Sequence, residues 1–262
     1  MEIMGFELRL GRISEKREVK KTISLSKSIG EKHLNLIQLF EHYYHIETVG
    51  ELIKSVFEDI ITSIFMGSGS GLFSSLLRGL YFRLFFNYRL PAFIGKSFRI
   101  INRSKVKIGR VFWAKDSVTL FAGSGPLIIG DNCVLAERST IWSGKEEMHI
   151  GNNFTMGIAS YISAIAGSVR IGNDVMVADH VSFYTWNHEF SKGGKPFRMM
   201  GGIVKGISIG NNCWFGTGCI VLPGAKLGNN CVVAAGSVLT DKVYSDNSLI
   251  AGIPAKIIRK IL

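Results

Sequence analysis

From residue 129 onward the chain repeats itself every six residues, and no other feature restricts its fold so tightly. The segments IGDNCV at 129–134, IGNNFT at 150–155, IGNDVM at 171–176, IGNNCW at 209–214 and LGNNCV at 227–232 are variants of one phrase. An aliphatic residue leads, glycine follows, then a polar pair and a small or apolar residue. A second apolar position recurs at the same interval: Leu135 and Ile141, Met156 and Ile162, Val177 and Phe183, Phe215 and Val221, Val233 and Leu239. Repeats of this length predict a parallel β-helix, whose coils bury their faces only by stacking on one another.

The breaks in the period are informative. Ile141 to Ile150 and Ile162 to Ile171 each span nine residues instead of six, which predicts a three-residue bulge at a corner of each coil. A third break, residues 187–206 (NHEFSKGGKPFRMMGGIVKG), is a long polar, glycine-rich excursion. Solenoids push insertions out on one face, often the functional one. Before the regular repeats, Ile101, Val106, Ile108, Val111, Val118, Leu120 and Ile128 give a less regular alternation, read as first, imperfect coils. The expected organisation is a mainly helical region over residues 1–95, the β-helix over 96–250, and a short basic helix over 251–262 (AGIPAKIIRKIL) with Pro254 near its start.

Within residues 1–95, apolar positions recur at helical spacing (Leu34, Ile37, Phe40, Tyr44, then Leu52, Val56, Ile60, Ile64), predicting two helices parted near Gly50. A flexible GSGSG break follows at 67–71. Residues 72–90 are apolar and aromatic, with Arg78, Arg83 and Arg89 and no acid. They suit a helix capping the open end of the solenoid, and equally an amphipathic helix on an anionic membrane; the two readings are compatible.

The composition fits this picture. With 262 residues, 47% of them hydrophobic, 30 glycines and only 5 prolines, the chain suits a well-packed, turn-rich β protein and is unlike a disordered one. The net charge of +11 is concentrated early: residues 1–110 hold 18 Lys/Arg against 10 Asp/Glu. Such an excess is compatible with a solvated surface or with an anionic partner, whether lipid, phosphorylated cofactor or glycan. No nucleic-acid reader motif accompanies it, so a nucleic-acid partner is not expected. The first twenty residues lack an apolar signal-peptide core, and no stretch is long enough to span a bilayer, so the expected location is cytoplasmic. Cys133, Cys213, Cys219 and Cys231 each stand four residues after an apolar position that leads a hexapeptide. That slot predicts small, buried, reduced side chains packing the coil, with no metal required.

With the hexapeptides and the AGIPAK segment, the chain resembles the hexapeptide-repeat acyltransferases. It is most similar to the maltose/galactoside acetyltransferase branch and to the O-acetyltransferases of polysaccharide clusters. The resemblance runs from about residue 100 to the C-terminus and is strongest over 171–259. It implies a left-handed parallel β-helix of triangular section, a homotrimer with sites between subunits, and acetyl-CoA as co-substrate. The acceptor it implies is a sugar hydroxyl of a surface polysaccharide or its lipid-linked precursor. Peripheral contact with the inner face of the cytoplasmic membrane would suit the lipid-linked form.

The resemblance also assigns residues. In the YTWNHE segment, His188 matches the general base of the family, and Tyr184, Trp186, Asn187 and Lys192 fall where an acceptor would be held. Trp214, Gly216, Thr217, Ala234, Ala235, Thr240, Lys242, Lys256 and Arg259 match the cofactor side, the last two as partners of nucleotide phosphates. The turn 214–217 would supply amides to the oxyanion. His180 falls inside a coil and is read as structural. Two departures stand out: Asp241 occupies a position where the family often has lysine, and Ile158 and Ala166 fall near polar sugar contacts of galactoside enzymes. A free galactoside or maltose is therefore not the expected acceptor, and Ser191, Lys192, Lys195 and Arg198 of the excursion would supply recognition instead. Other acceptors (serine, an amino sugar, a xenobiotic) stay open, as does a non-catalytic solenoid. A zinc-dependent one would need three converging histidines, and only His180 and His188, with distant His149, are at hand.

Overall fold

The computed structural model describes residues 71–86, 92–190, 194 and 196–261. The helices expected over 31–66 lie outside the described residues, as do Ser191, Lys192 and Lys195. Short strands wind through three sheets. Face A is built from Ala92–Ile94, Phe112–Ala114, Cys133–Leu135, Thr155–Met156, Met176–Val177, Trp214–Phe215, Val232–Val233 and Ser248–Gly252. Face B runs from Arg99–Ile101 through Thr119–Ala122, Thr140–Ser143, Tyr161–Ala164, Ser182–Tyr184 and Ile220–Val221 to Val238–Leu239. Face C runs from Val106–Ile108 through Leu127–Ile129, Met148–Ile150, Val169–Ile171, Ile207–Ile209 and Lys226–Leu227 to Val243–Tyr244. Each coil gives one strand to each face, all pairs within these runs are parallel, and the fold is the mainly β, three-faced solenoid of a left-handed β-helix.

The hexapeptide phrase is explained at the corners. Glycine follows the aliphatic residue because the next coil passes too close for a side chain: a Cβ on Gly151 would lie 2.6 Å from the carbonyl carbon of Gly172. The first polar residue satisfies the coil below it. Asn152 Oδ1 accepts the amide of Asp131, Asn173 that of Asn152, Asn211 that of Asn173 and Asn229 that of Asn211, each at 2.8 Å. The second polar residue is left-handed, with φ of 58° at Asn132, 56° at Asn153, 53° at Asn212 and 54° at Asn230. Asparagine tolerates this region better than most side chains, and here the side chains also bond along the stack, Asn212 Nδ2 donating to Asn230 Oδ1 at 2.9 Å.

The expected bulges are present. The corner ladder steps by 21 residues from Asp131 to Asn152 and from there to Asn173, but by 18 from Asn211 to Asn229. The extra residues lie between faces B and C, at 144–147 and 165–168. The step from Asn173 to Asn211 is 38, which accommodates the excursion. The interior is a continuous apolar stack. Cys133, Cys213, Cys219 and Cys231 are all buried and free. Their slot is not uniformly small, as the sequence suggested: Phe112 and Phe154 stand directly below and above Cys133. Both phenylalanines belong to the longer coils, so large and small side chains alternate there.

Helix α1 (Leu72–Phe86) closes the first coil. Gly79 lies against the Ala92 carbonyl oxygen, which a Cβ would approach to 1.9 Å. Arg78 is fully buried, its Nε donating to Ile94 O at 2.7 Å, and the Phe82 ring meets Phe98 edge-on at 5.4 Å. The capping expectation holds for the described part of 72–90. No helix among the described residues is long and apolar enough to cross a membrane.

Two boundaries differ from expectation. The first strand opens at Ala92, four residues before the expected start. The C-terminal segment is not a helix: Ala255–Lys260 is a strand, antiparallel to Ser248–Gly252 on face A. The last coil leaves an open sheet edge, and a segment rich in β-branched Ile257 and Ile258 covers it by pairing. The turn is made at Gly252, whose φ of 107° suits glycine.

Candidate functional site

The chain divides into two compact units; the solenoid with α1 belongs to one, and residues 188–203 of the excursion to the other. On the solenoid, a groove of about 400 Å³ runs along the corner between faces A and B. It is lined by Ala178, Trp214, Gly216, Thr217, residues 232–235 and Leu249. Five of the residues assigned to the cofactor side by resemblance, Trp214, Gly216, Thr217, Ala234 and Ala235, thus share one groove. A second hollow of about 230 Å³ continues along face A past Met176, Trp214 and Val232 to Ile261.

The strand register explains this wall. Met176, Trp214, Val232, Leu249 and Arg259 pair in one outward-facing row, while Val177, Phe215, Val233 and Ile250 point into the core. Trp214 keeps half of its surface exposed, offering a flat apolar face beside the groove. Gly216 is needed for closeness: a Cβ there would lie 2.6 Å from the Ala235 amide nitrogen.

The corner amides change character at this groove. Lower in the stack they are capped by a carboxylate of the next coil, as Asp116 Oδ1 accepts from Lys96 and Asp179 Oδ1 from Ile158, both at 2.7 Å. At Thr217 the corresponding residue one coil on is Ala235, which has no side-chain acceptor. Among the described residues, the Thr217 N–H finds no acceptor and is available to a ligand in the groove. The N–H groups of Trp214 and Gly216 are not: they donate to Cys231 O at 2.9 Å and Val233 O at 2.8 Å. The turn 214–217 expected to serve an oxyanion therefore offers Thr217, not those two.

The basic pair is brought together by a route the sequence did not suggest. Lys256 and Arg259, three residues apart, would face opposite ways on a regular strand. A register shift between Leu249 and Ile250 sets Arg259 opposite Leu249 and Lys256 opposite Ala251, so both lie over outward-facing positions of face A. Both are exposed. Thr240 and Lys242 do not join this groove. They sit at the far end of face B, where the Thr240 amide meets Tyr244 Oη at 3.2 Å and its carbonyl accepts from Lys242 N.

Of the acceptor-side residues, Tyr184 ends a face B strand, is exposed, and its ring lies 6.0 Å from that of Tyr161. Trp186–His188 forms a short strand paired with Gly202–Val204, and Asn187 and His188 are exposed at its end. Within the excursion Glu189 N donates to Gly201 O at 3.2 Å, and Phe190, Phe197 and Met199 are exposed. His180 occupies a left-handed corner at φ 58°, its N–H donating to Ile158 O at 2.9 Å, a structural place in the coil. The Asp241 departure has a local reason: its carboxylate pairs with Lys205 Nζ, tying the returning end of the excursion to the solenoid. Spacing alone could not reveal that pair, because 36 residues separate its members. No group of three or more His, Cys, Asp or Glu among the described residues could hold a metal ion.

Comparison with known proteins agrees with this architecture. Residues 206–241 match the family described as bacterial transferase hexapeptide (six repeats). The chain is 28% identical to the galactoside O-acetyltransferase of Escherichia coli K12 over 204 residues, covering 76% of this chain and 85% of that one. It is 40% identical over 116 residues to a Dictyostelium discoideum protein named among the acetyltransferases, covering 44% and 58%. A 33% match over 124 residues, covering 45% and 62%, is to an E. coli protein, WbbJ, named for O-acetyl transfer in lipopolysaccharide biosynthesis. The chain thus spans less than two thirds of two of these three relatives. Repeat, solenoid and relatives agree: over residues 206–241 the chain matches the bacterial transferase hexapeptide family, and its relatives are acetyltransferases by name.

Proposed function

We propose that this protein transfers an acetyl group from acetyl-CoA to a hydroxyl of a saccharide, in a surface polysaccharide or its lipid-linked precursor. The observation that carries the reading is the groove itself, where Trp214, Gly216, Thr217, Ala234 and Ala235 converge and Lys256 and Arg259 stand on the same outer face. An extended thiol cofactor fits such a wall: small side chains admit a narrow arm, and cationic residues hold its phosphates. A galactoside and a lipopolysaccharide O-acetyltransferase among the relatives support the acceptor class.

In this reading His188 takes the acceptor's hydroxyl proton as the oxygen attacks the thioester carbonyl, a role worth roughly 10²–10⁴ in rate. The Thr217 N–H would stabilise negative charge on the carbonyl oxygen. As the C–S bond breaks, the His188 imidazolium returns the proton to the departing thiolate, so no covalent enzyme intermediate is needed. Tyr184, Trp186, Asn187 and Lys192 would hold the sugar. The protein would act as a homotrimer, with exposed Phe190, Phe197 and Met199 available to a neighbouring copy. The test is release of free CoA from acetyl-CoA with candidate glycans. His188→Ala should lose at least about a hundredfold in kcat while binding acetyl-CoA normally; full activity in the variant would refute the mechanism.

A further inference from the structure

We infer that the α1-capped end of the solenoid is a docking surface for an anionic lipid bilayer. Helix α1 has two apolar faces. One packs on the first coil through Gly79, Tyr81 and Phe82. The other, Leu72, Phe73, Leu76, Leu77, Leu80 and Leu84, is exposed, Phe73 by 74% and Leu84 by 68%. The solenoid therefore accounts for one face only, and six large apolar side chains on consecutive turns face away from it.

The charge around this ridge identifies the occupant. Between residues 72 and 115 there are ten Lys or Arg and no Asp or Glu. The first coil distributes them around the rim: Lys96 follows the face A strand, Arg99 opens the face B strand, Lys105 ends the turn 103–105, and Lys107 lies on face C. All four are exposed, as is Arg83 on the helix, and among the described residues none of the four coil side chains forms an ion pair, Asp116 accepting only the backbone N–H of Lys96. Farther up, Arg110 and Lys115 do find one, in Asp131 and Glu137. An apolar ridge with Lys96, Arg99, Lys105 and Lys107 exposed around it matches a surface of acyl chains beneath anionic headgroups. A protein partner with an apolar groove would not require the rim to be of one sign on every face. The docking stands apart from the acyl-transfer reading; that it serves a lipid-linked acceptor rests on that reading.

The experiment is co-sedimentation of the full chain with phosphatidylcholine vesicles and with vesicles carrying phosphatidylglycerol, alongside two variants. These are Leu76→Gln with Leu80→Gln, and Lys96→Gln with Lys105→Gln and Lys107→Gln. The wild type should bind the anionic vesicles and not the neutral ones, less so at high salt. Each variant should lose roughly tenfold or more in binding with its unfolding midpoint unchanged. Equal binding by wild type and variants, or none to anionic vesicles, overturns the inference. If the leucine variant instead shifts the midpoint or the molecular mass in solution, the ridge is covered by the chain's own residues or by a second copy, and the lipid assignment fails. Vesicle binding without CoA release would retain the docking and refute the transfer.

Discussion

Gly216 packs against the backbone of Ala235 in the next coil, whose amide nitrogen a Cβ on residue 216 would approach to 2.6 Å. The contact is to backbone, so it cannot be relieved by a rotamer change. Gly216→Ala should cost about 1–3 kcal/mol, as overpacking does, measured by urea unfolding. Acetyl-CoA affinity, read by calorimetry, should fall as well, because the displaced coil carries Ala234 and Ala235 on the groove wall. Stability unchanged in this variant would mean that the coils have more freedom here than the register implies.

Lys256 and Arg259 should act on the nucleotide end of the cofactor and nowhere else. Both are exposed on the final strand, so replacing them should leave stability within about 0.5 kcal/mol. Arg259→Ala should weaken acetyl-CoA binding by about tenfold, the scale of a charge-assisted hydrogen bond. Against acetyl-pantetheine, which lacks the nucleotide phosphates, the variant and the wild type should bind alike. A loss with both substrates would place Arg259 in a different role.

How far the sequence could be read depends on which interactions are periodic. The Ile-Gly-Asn-Asn phrase encodes the contact of one coil with the next, so the faces and the corner bulges could be foreseen from spacing, while the groove residues are named only by resemblance. The final strand could not, because its cause is an unpaired edge: AKIIRK carries apolar and basic residues at intervals that suit a helix, and pairing with residues 248–252 decides otherwise. The Lys205–Asp241 pair was hidden for a related reason, since it joins an excursion to a coil across a non-repeating interval. Asp241→Asn should leave the coils intact and loosen the base of the excursion. Hydrogen exchange at residues 202–205 should then rise while that of Ile207–Ile209 stays protected; unchanged exchange would mean that the ion pair does not restrain it.

The buried thiols predict an alkaline limit to stability. Burial raises the Cys133 thiol from an ordinary value of 9.0 to about 11 and that of Cys213 to about 12. The folded state therefore holds protons that the unfolded state releases between pH 9 and these values. The stabilisation is complete below pH 9 and is lost as pH rises toward 11 and 12. The unfolding midpoint should fall over that window, and Cys213→Ala should flatten the fall. At pH 8 all four cysteines should resist iodoacetamide until denaturant is added, because only the thiolate reacts and each is buried. Rapid alkylation of the folded protein would contradict this packing.

Val111 departs from the asparagine pattern of the corner stack. It stands in register with Asn132, through the pairing of Phe112 with Cys133, and shares its left-handed backbone at φ 56°. A β-branched side chain is disfavoured there by roughly 1–2 kcal/mol, and valine leaves Asn132 without the amide donor that Asn132 itself offers to Asn153 Oδ1 at 3.1 Å. Val111→Asn should relieve the backbone and extend the ladder by one rung, raising stability by about 1 kcal/mol. The reverse change at the next coil, Asn132→Val, should lower it by a similar amount, since it imposes the same strain and removes the donor. Paired urea titrations of the two variants measure both signs. A destabilising Val111→Asn would show that the half-exposed Val111 side chain contributes more by packing than its backbone costs.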